Sequence, residues 1–245
     1  MAGITFPLRV IEIKQPNIGV RSFSFQSLDG STFTYQPGQF FRVHVPATDT
    51  TKAVIRSYSL ANPPGTDHLD ISVDFVEGGV GCAYLYALAE GDVIEASGFF
   101  GKLVLPERLL EVYRVFFLAT STGVAPFCAM LNAIERLLTI HPNVTCYLYE
   151  GVKTEDRGLY VEEFVHFMRK NPRFQFRLCV SRETPDAGHE YLKPGYVQKQ
   201  LTEFALNSTD LLYLCGNPKM IDQTFSYCLE QGLRSAQVKR EKYFA

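Results

Sequence analysis

Five consecutive residues, Arg56-Ser57-Tyr58-Ser59-Leu60, put a cation, a planar ring and two small hydroxyls on one predicted strand. Side chains alternate along a strand, so Arg56, Tyr58 and Leu60 take one face and Ser57 and Ser59 the other. A guanidinium can fork onto a diphosphate, a phenol can lie flat on an isoalloxazine ring, and a serine hydroxyl can bond the ring edge. Such a set suits a bound flavin. On spacing alone the same residues also make an ordinary barrel strand with an exposed arginine, so the order of the motifs that follow matters.

Gly78-Gly79-Val80-Gly81-Cys82 sets glycines directly before a predicted helix. A helix start offers free amides and a positive dipole end to an anion such as a diphosphate, although a plain glycine turn looks the same. Ala119 to Pro126, with Thr120, Ser121, Thr122 and Gly123 at its centre, follows a predicted buried strand and opens a helix. Ligands of open parallel sheets bind at such carboxyl ends, where small residues let a pyrophosphate approach the backbone. Cys215-Gly216-Asn217-Pro218-Lys219-Met220 occupies the equivalent place after a later strand. A thiol there can border the reacting ring of a dinucleotide or simply fill space as a small hydrophobe.

These segments need a scaffold, and the chain has the means to build one. Its 245 residues, 46% hydrophobic, suffice for two domains. From Leu8 to Ala96 short alternating strands are separated by turn signals at Asp29-Gly30 and Pro37-Gly38, which predicts an antiparallel six-stranded β-barrel with one helix, Cys82 to Ala89. After the glycine- and proline-containing segment Ser97 to Glu107 the period changes. Val115 to Ala119 is a continuous apolar run, as in a strand buried on both faces, and helical spacing follows over Pro126 to Leu138. Strands Val144–Tyr149, Phe174–Val180 and Leu211–Cys215 then alternate with helices Val161–Lys170, Val197–Phe204 and Lys219–Gln231. The expectation is an α/β domain on a parallel five-stranded sheet, with the domains at 1–108 and 109–245 and the boundary near Leu109.

A net charge of −2, from 24 basic and 26 acidic residues, provides no general field for nucleic acid. The six cysteines, at 82, 128, 146, 179, 215 and 228, form no Cys-x-x-Cys pair, so no metal centre is expected and they read as reduced thiols. Met1 to Lys14 lacks a signal-peptide pattern, and the apolar stretch Val115 to Leu131 is interrupted by polar residues, glycine and proline. A cytoplasmic protein without membrane contact is the expectation.

Taken in order, Arg56-Ser57-Tyr58-Ser59, Gly78 to Cys82, Gly98-Phe99-Phe100-Gly101, Thr120 to Pro126, Cys215 to Met220 and the tail Glu241-Lys242-Tyr243-Phe244 resemble the ferredoxin-NADP reductase superfamily over nearly the whole chain. The resemblance implies an FAD-binding barrel followed by a nicotinamide-dinucleotide domain. It implies that Arg56, Tyr58 and Ser59 hold FAD, with Ile71, Ser72 and Val73 along the flavin edge and Gly79, Val80, Gly81 and Cys82 at its diphosphate. Thr120, Ser121, Thr122 and Gly123 would bind the dinucleotide pyrophosphate, and Cys215 and Gly216 would border the nicotinamide. Tyr243, with Phe244, would cover the flavin face opposite Tyr58 until the nicotinamide displaces it, and Glu241 would assist polar or proton-coupled contacts. Tyr58, Ser59, Cys215, Glu241 and Tyr243 are thus the expected catalytic group. The chain departs from the family's pattern at Cys82, where Ser or Thr is usual, and at Ser121, where glycine is common.

Coenzyme choice would rest on Lys153, Ser181 and Arg182, because a dianionic phosphate favours a forked cation, and Ser181-Arg182 fits NADPH. Tyr196 stands where some NADPH users have a second arginine. The implied activity is hydride transfer from NAD(P)H, NADPH being favoured, to FAD, followed by single-electron transfer from a monomeric enzyme to a ferredoxin or flavodoxin. An NADH-dependent reductase component of an oxygenase system, a free flavin reductase and a non-enzymatic flavin-binding electron-transfer subunit remain the alternatives. No iron-sulfur domain is expected from these cysteines.

Overall fold

The computed structural model describes residues 5–107, 109, 111–185 and 188–243. They form two compact units, one comprising the chain up to Val104 with Ala125–Met130, the other Leu105–Val124 and the residues from Leu131 on.

The first unit is built from β1 (Thr5–Asn17), β2 (Val20–Ser27), β3 (Phe40–Val45), β4 (Val54–Ser59), β5 (His68–Asp74), helix α1 (Val80–Tyr86) and β6 (Val93–Phe100). All pairings are antiparallel, in the order β4-β3-β6-β1-β2-β5. Alternation is clear on β2, where Phe23 and Phe25 are buried between half-exposed serines. Such a pattern places one face on a core, here Leu8, Val10, Phe41, Val43, Leu69 and Leu85 with the two phenylalanines. The sheet curls until its end strands approach, and the Ala61 N–H just after β4 donates to Asp70 O on β5 at 2.8 Å. The predicted barrel of six strands is therefore present.

The second unit carries β7 (Arg114–Thr120), helix α3 (Leu131–Ile140), preceded in the chain by α2 (Ala125–Ala129), then β8 (Thr145–Val152), α4 (Val161–Lys170) and β9 (Phe174–Val180). It continues with β10 (Leu192–Pro194), α5 (Val197–Gln200), β11 (Asp210–Gly216), α6 (Pro218–Glu230) and β12 (Val238–Lys242). The sheet is wholly parallel, in the order β10-β9-β8-β7-β11-β12. It has six strands, which corrects the expected five. The strands hardest to see are both at edges: β10 has three residues and ends in proline, and β12 reads Val-Lys-Arg-Glu-Lys, without the apolar run of a buried strand. A second correction concerns the helix expected over Pro126–Leu138, which is two helices, Ala125–Ala129 and Leu131–Ile140, interrupted at Met130. No single helix among the described residues is long and apolar enough to cross a membrane.

At the amino end of the sheet Arg114 clamps β7 to β11. Its Nε and Nη2 each donate to an Asp210 carboxylate oxygen at 2.7 Å, and Nη2 also reaches Ala205 O. The Asp210 side chain is fully buried and also accepts the Asn207 N–H. Charged groups taken from water this completely need such pairing.

Candidate functional site

In the barrel unit the sequence motifs converge on one place. Gly81 packs so tightly on β4 that a Cβ there would lie 2.6 Å from Tyr58 Oη and 2.7 Å from Arg56 Cγ. Arg56 and Tyr58 thus share a face, as the alternation predicted, and α1 begins against it. Helix geometry leaves the amides of Val80, Gly81 and Cys82 without intrahelical acceptors, and the side-chain stem of the exposed Arg56 packs beside Gly81, its Nη1 donating to Ile55 O at 3.0 Å. Amides, a cation and no intervening Cβ make a cradle that fits a diphosphate. Burial pushes the Tyr58 phenol well above its ordinary value, with Cys82 adding and Arg56 opposing, so the ring stays neutral.

The remaining barrel positions contribute differently from one another. Ser59 is buried at the end of β4. Ile71 and Val73 point into the barrel core, so what these two could offer a flavin is backbone, not side chain. Ser72 shares a hydrogen bond with Ser22 Oγ at 2.9 Å. Cys82 is engaged locally: the Val76 N–H lies 3.3 Å from its Sγ, and the thiol is 3.1 Å from both Val76 O and Gly79 O. It holds the turn that precedes α1.

In the second unit the order of strands reverses at β7, with β8 on one side and β11 on the other. Loops leaving a parallel sheet there diverge and open a crevice at the carboxyl ends of the strands. The two loops interlock. A Cβ on Gly123 would lie 2.6 Å from Cys215 O, and one on Gly216, whose φ is +116°, would lie 2.4 Å from Thr120 Oγ1. Thr120 Oγ1 accepts the Asn217 N–H at 2.8 Å. Ser121 has φ +48°, the left-handed region, which explains in physical terms why glycine suits that position. Thr122 and Gly123 are buried in this turn, and Ser121 is half-exposed.

Cys215 is fully buried at the end of β11, and burial with the nearby Glu241 pushes its thiol far up, while a hydrogen bond with the Tyr243 hydroxyl works the other way. It is a neutral thiol, not a nucleophile. Glu241 sits opposite Cys215 in the β11–β12 register, and the Tyr243 N–H donates to Gly216 O at 2.9 Å. Phe244, expected to join Tyr243, lies outside the described residues.

Lys153, Ser181 and Arg182 come together at the ends of β8 and β9. The Arg182 N–H donates to Lys153 O at 2.9 Å, and the Ser181 hydroxyl to Val152 O at 3.0 Å, while both cations remain exposed. Sequence reasoning gave no individual role to three residues of this unit. Glu183 accepts the Glu155 N–H and ties the two loops together. Asn217 caps α6, its Oδ1 accepting the Lys219 and Met220 N–H groups, which Asn-Pro at a helix start signals. Glu150, fully buried in β8, gave no signal beyond a charge inside an apolar strand.

A cradle that fits a diphosphate in one unit and a crevice at the strand-order reversal of a parallel sheet in the other are what a flavin-dependent oxidoreductase that uses nicotinamide coenzymes requires. Residues 7–105 match the oxidoreductase FAD-binding domain and residues 117–225 the oxidoreductase NAD-binding domain. The chain belongs to the ferredoxin-NADP reductase superfamily. It is 28% identical over 239 residues to the toluate 1,2-dioxygenase electron transfer component of Pseudomonas putida, covering 96% of this chain and 67% of that protein. Ferredoxin–NADP reductase B of Sorangium cellulosum is 28% identical over 222 residues, 88% of each chain. The fold is shared with a ferredoxin NADP+ reductase from Neisseria gonorrhoeae with bound FAD and NADP, at a TM-score of 0.79 and 21% identity, covering 98% of this chain and 99% of that one. The chain spans 58–67% of the length of the oxygenase reductase components it matches.

Proposed function

We propose that this chain is an NADPH-linked flavoprotein reductase that delivers electrons singly to a ferredoxin or flavodoxin. FAD, when bound, supplies acceptance of a hydride from the reduced nicotinamide and its release as single electrons. The protein's part is to bind and orient. Arg56 and the α1 amides hold the flavin diphosphate, Tyr58 offers a neutral ring to the isoalloxazine, and the interlocked turns at Thr120–Gly123 and Cys215–Gly216 receive the coenzyme. Cys215, kept neutral by burial, adds bulk beside the nicotinamide without reacting with it. The observation that carries the reading is the Gly123–Gly216 interlock at the point where strand order reverses.

NADPH is favoured because Arg182 and Lys153, joined through their backbones, are two exposed cations just past the carboxyl ends of β9 and β8, the same edge of the sheet as the crevice. A second reading, an NADH-driven reductase component of an oxygenase system, is favoured by Glu183, a carboxylate in the same loop pair, and by the relatives of that kind. Anaerobic stopped-flow reduction by each coenzyme separates them. Arg182→Ala is expected to weaken NADPH binding about 10- to 100-fold, the equivalent of one or two charge-assisted hydrogen bonds, and to leave NADH unchanged. Faster reduction of the unmodified protein by NADH, with no response to Arg182→Ala, would establish the second reading instead.

A further inference from the structure

Glu150 is a buried acid that the binding scheme leaves unused. Its side chain lies on β8 between Ala119 of β7 and Leu178 of β9, with no exposed surface. One oxygen, Oε1, accepts the Leu159 N–H at 2.8 Å, and Oε2 has no hydrogen-bond partner among the described residues. Its neighbours are apolar: Ala119 and Leu178, paired with it in the sheet, and Leu159, whose N–H it accepts, are all buried.

Leu159 closes the segment that follows Lys153. Within it the Arg157 N–H donates to Thr154 O at 3.1 Å and the Gly158 N–H to Glu155 O at 3.0 Å, so the turn is closed by its own hydrogen bonds. Its far end is tied to the β9 loop through Glu155 and Arg182, and its near end hangs on Glu150. A carboxylate with one bare oxygen in this setting is far costlier than the neutral acid.

We propose that Glu150 is a positioning residue for coenzyme binding: as an un-ionised acid it latches the Lys153–Leu159 loop, and its ionisation releases that loop. The proposal rests on the reading of Lys153 and Arg182 as coenzyme contacts. Burial, only partly opposed by the Leu159 N–H, raises the acid well above the usual carboxylate range. A raised acid stabilises the closed form fully below its unfolded value and loses that contribution as pH climbs toward the folded one. The titratable group sharing its field is Cys179 on β9, pushed up to about 12 mainly by burial. The charged and titratable groups of the surrounding elements, Lys153, Glu155, Asp156 and Arg157 in the loop, Glu162, Glu163, His166, Arg169 and Lys170 on α4, Arg177 on β9 and Lys193 on β10, are half-buried or exposed.

The test compares the full-length holoprotein with Glu150→Gln, which keeps an acceptor but cannot ionise, and Glu150→Leu, which keeps neither. Two readouts are taken between about pH 6 and about pH 9: KM for NADPH and NADH, and amide exchange of residues 153–159 without coenzyme, corrected for intrinsic rate. In the unmodified protein, KM is expected to rise about tenfold with pH at nearly constant kcat, as 153–159 exchange accelerates. Glu150→Gln should flatten both curves, and Glu150→Leu should hold both at their alkaline level throughout. If Glu150→Leu does not fold, Glu150→Gln against the unmodified protein decides. Exchange that is insensitive to pH and to Glu150→Gln would overturn the latch. Exchange that follows the prediction while KM does not would overturn the coenzyme role and, with it, the assignment of this loop.

Discussion

Replacing Arg114 by leucine is expected to destabilise the parallel-sheet unit by about 3–5 kcal/mol, the cost of stranding a charge in the interior, and to lower its melting midpoint by roughly 10 °C. The size follows from the asymmetry of the pair. Asp210 has no exposed side-chain surface, whereas Arg114 retains 24%, so the arginine can leave for solvent but the carboxylate cannot. Its loss removes two 2.7 Å charge-assisted bonds and the bond to Ala205 O in one step. The double variant Arg114→Leu with Asp210→Leu should recover much of the loss, because removing both partners leaves no unpaired charge. Thermal unfolding of the three forms measures this. A loss below about 1 kcal/mol for Arg114→Leu would mean that the pair behaves like an exposed salt bridge. The clamp lies at the amino ends of β7 and β11, while the coenzyme turns lie at their carboxyl ends. Coenzyme affinity of the surviving folded fraction should therefore be unchanged.

The second large effect is expected at Gly81. Gly81→Val should give folded protein that no longer retains FAD, with the dissociation constant raised about 100-fold, the value of one or two charge-assisted contacts. There is no room for the added atoms: the first alone would meet Tyr58 Oη at 2.6 Å and Arg56 Cγ at 2.7 Å. Either the two side chains turn away or α1 lifts off the strand, and both dismantle the cradle. Titration of apoprotein with FAD, followed by flavin fluorescence, reports the constant, and circular dichroism reports the fold. Unchanged affinity in a folded variant would show that the diphosphate does not bind between α1 and β4.

Much of the architecture could be read from the chain because its periodicities are strong. Phe23 and Phe25 among serines announce a half-buried strand, and Val115 to Ala119 announces a strand covered on both sides. Helix α4 runs over the predicted Val161–Lys170, since its apolar stripe is not interrupted. What escaped was decided by tertiary context. The break between α2 and α3 falls at Met130, between Ala129 and Leu131, so neither proline nor glycine marks it. Strand β12 is held by pairing with β11 and by its Lys242–Asp222 contact, not by apolar spacing. In the candidate site, residues whose chemistry is in the side chain, such as Arg56 and Tyr58, were visible. Ile71 and Val73 were named only through the family resemblance, and where they and Glu150 point depends on which way a strand faces and what lies beneath a loop.

The mutual fit of Gly123 against Cys215 and of Gly216 against Thr120 carries a consequence for engineering. The two turns are separated by more than ninety positions in the chain, yet each leaves the other no room for a methyl group. A turn transplanted alone from another reductase would bring a backbone path shaped for a different neighbour. Grafts that exchange both together keep lock and key matched, so the pair, not either loop, is the smallest exchangeable part of this crevice.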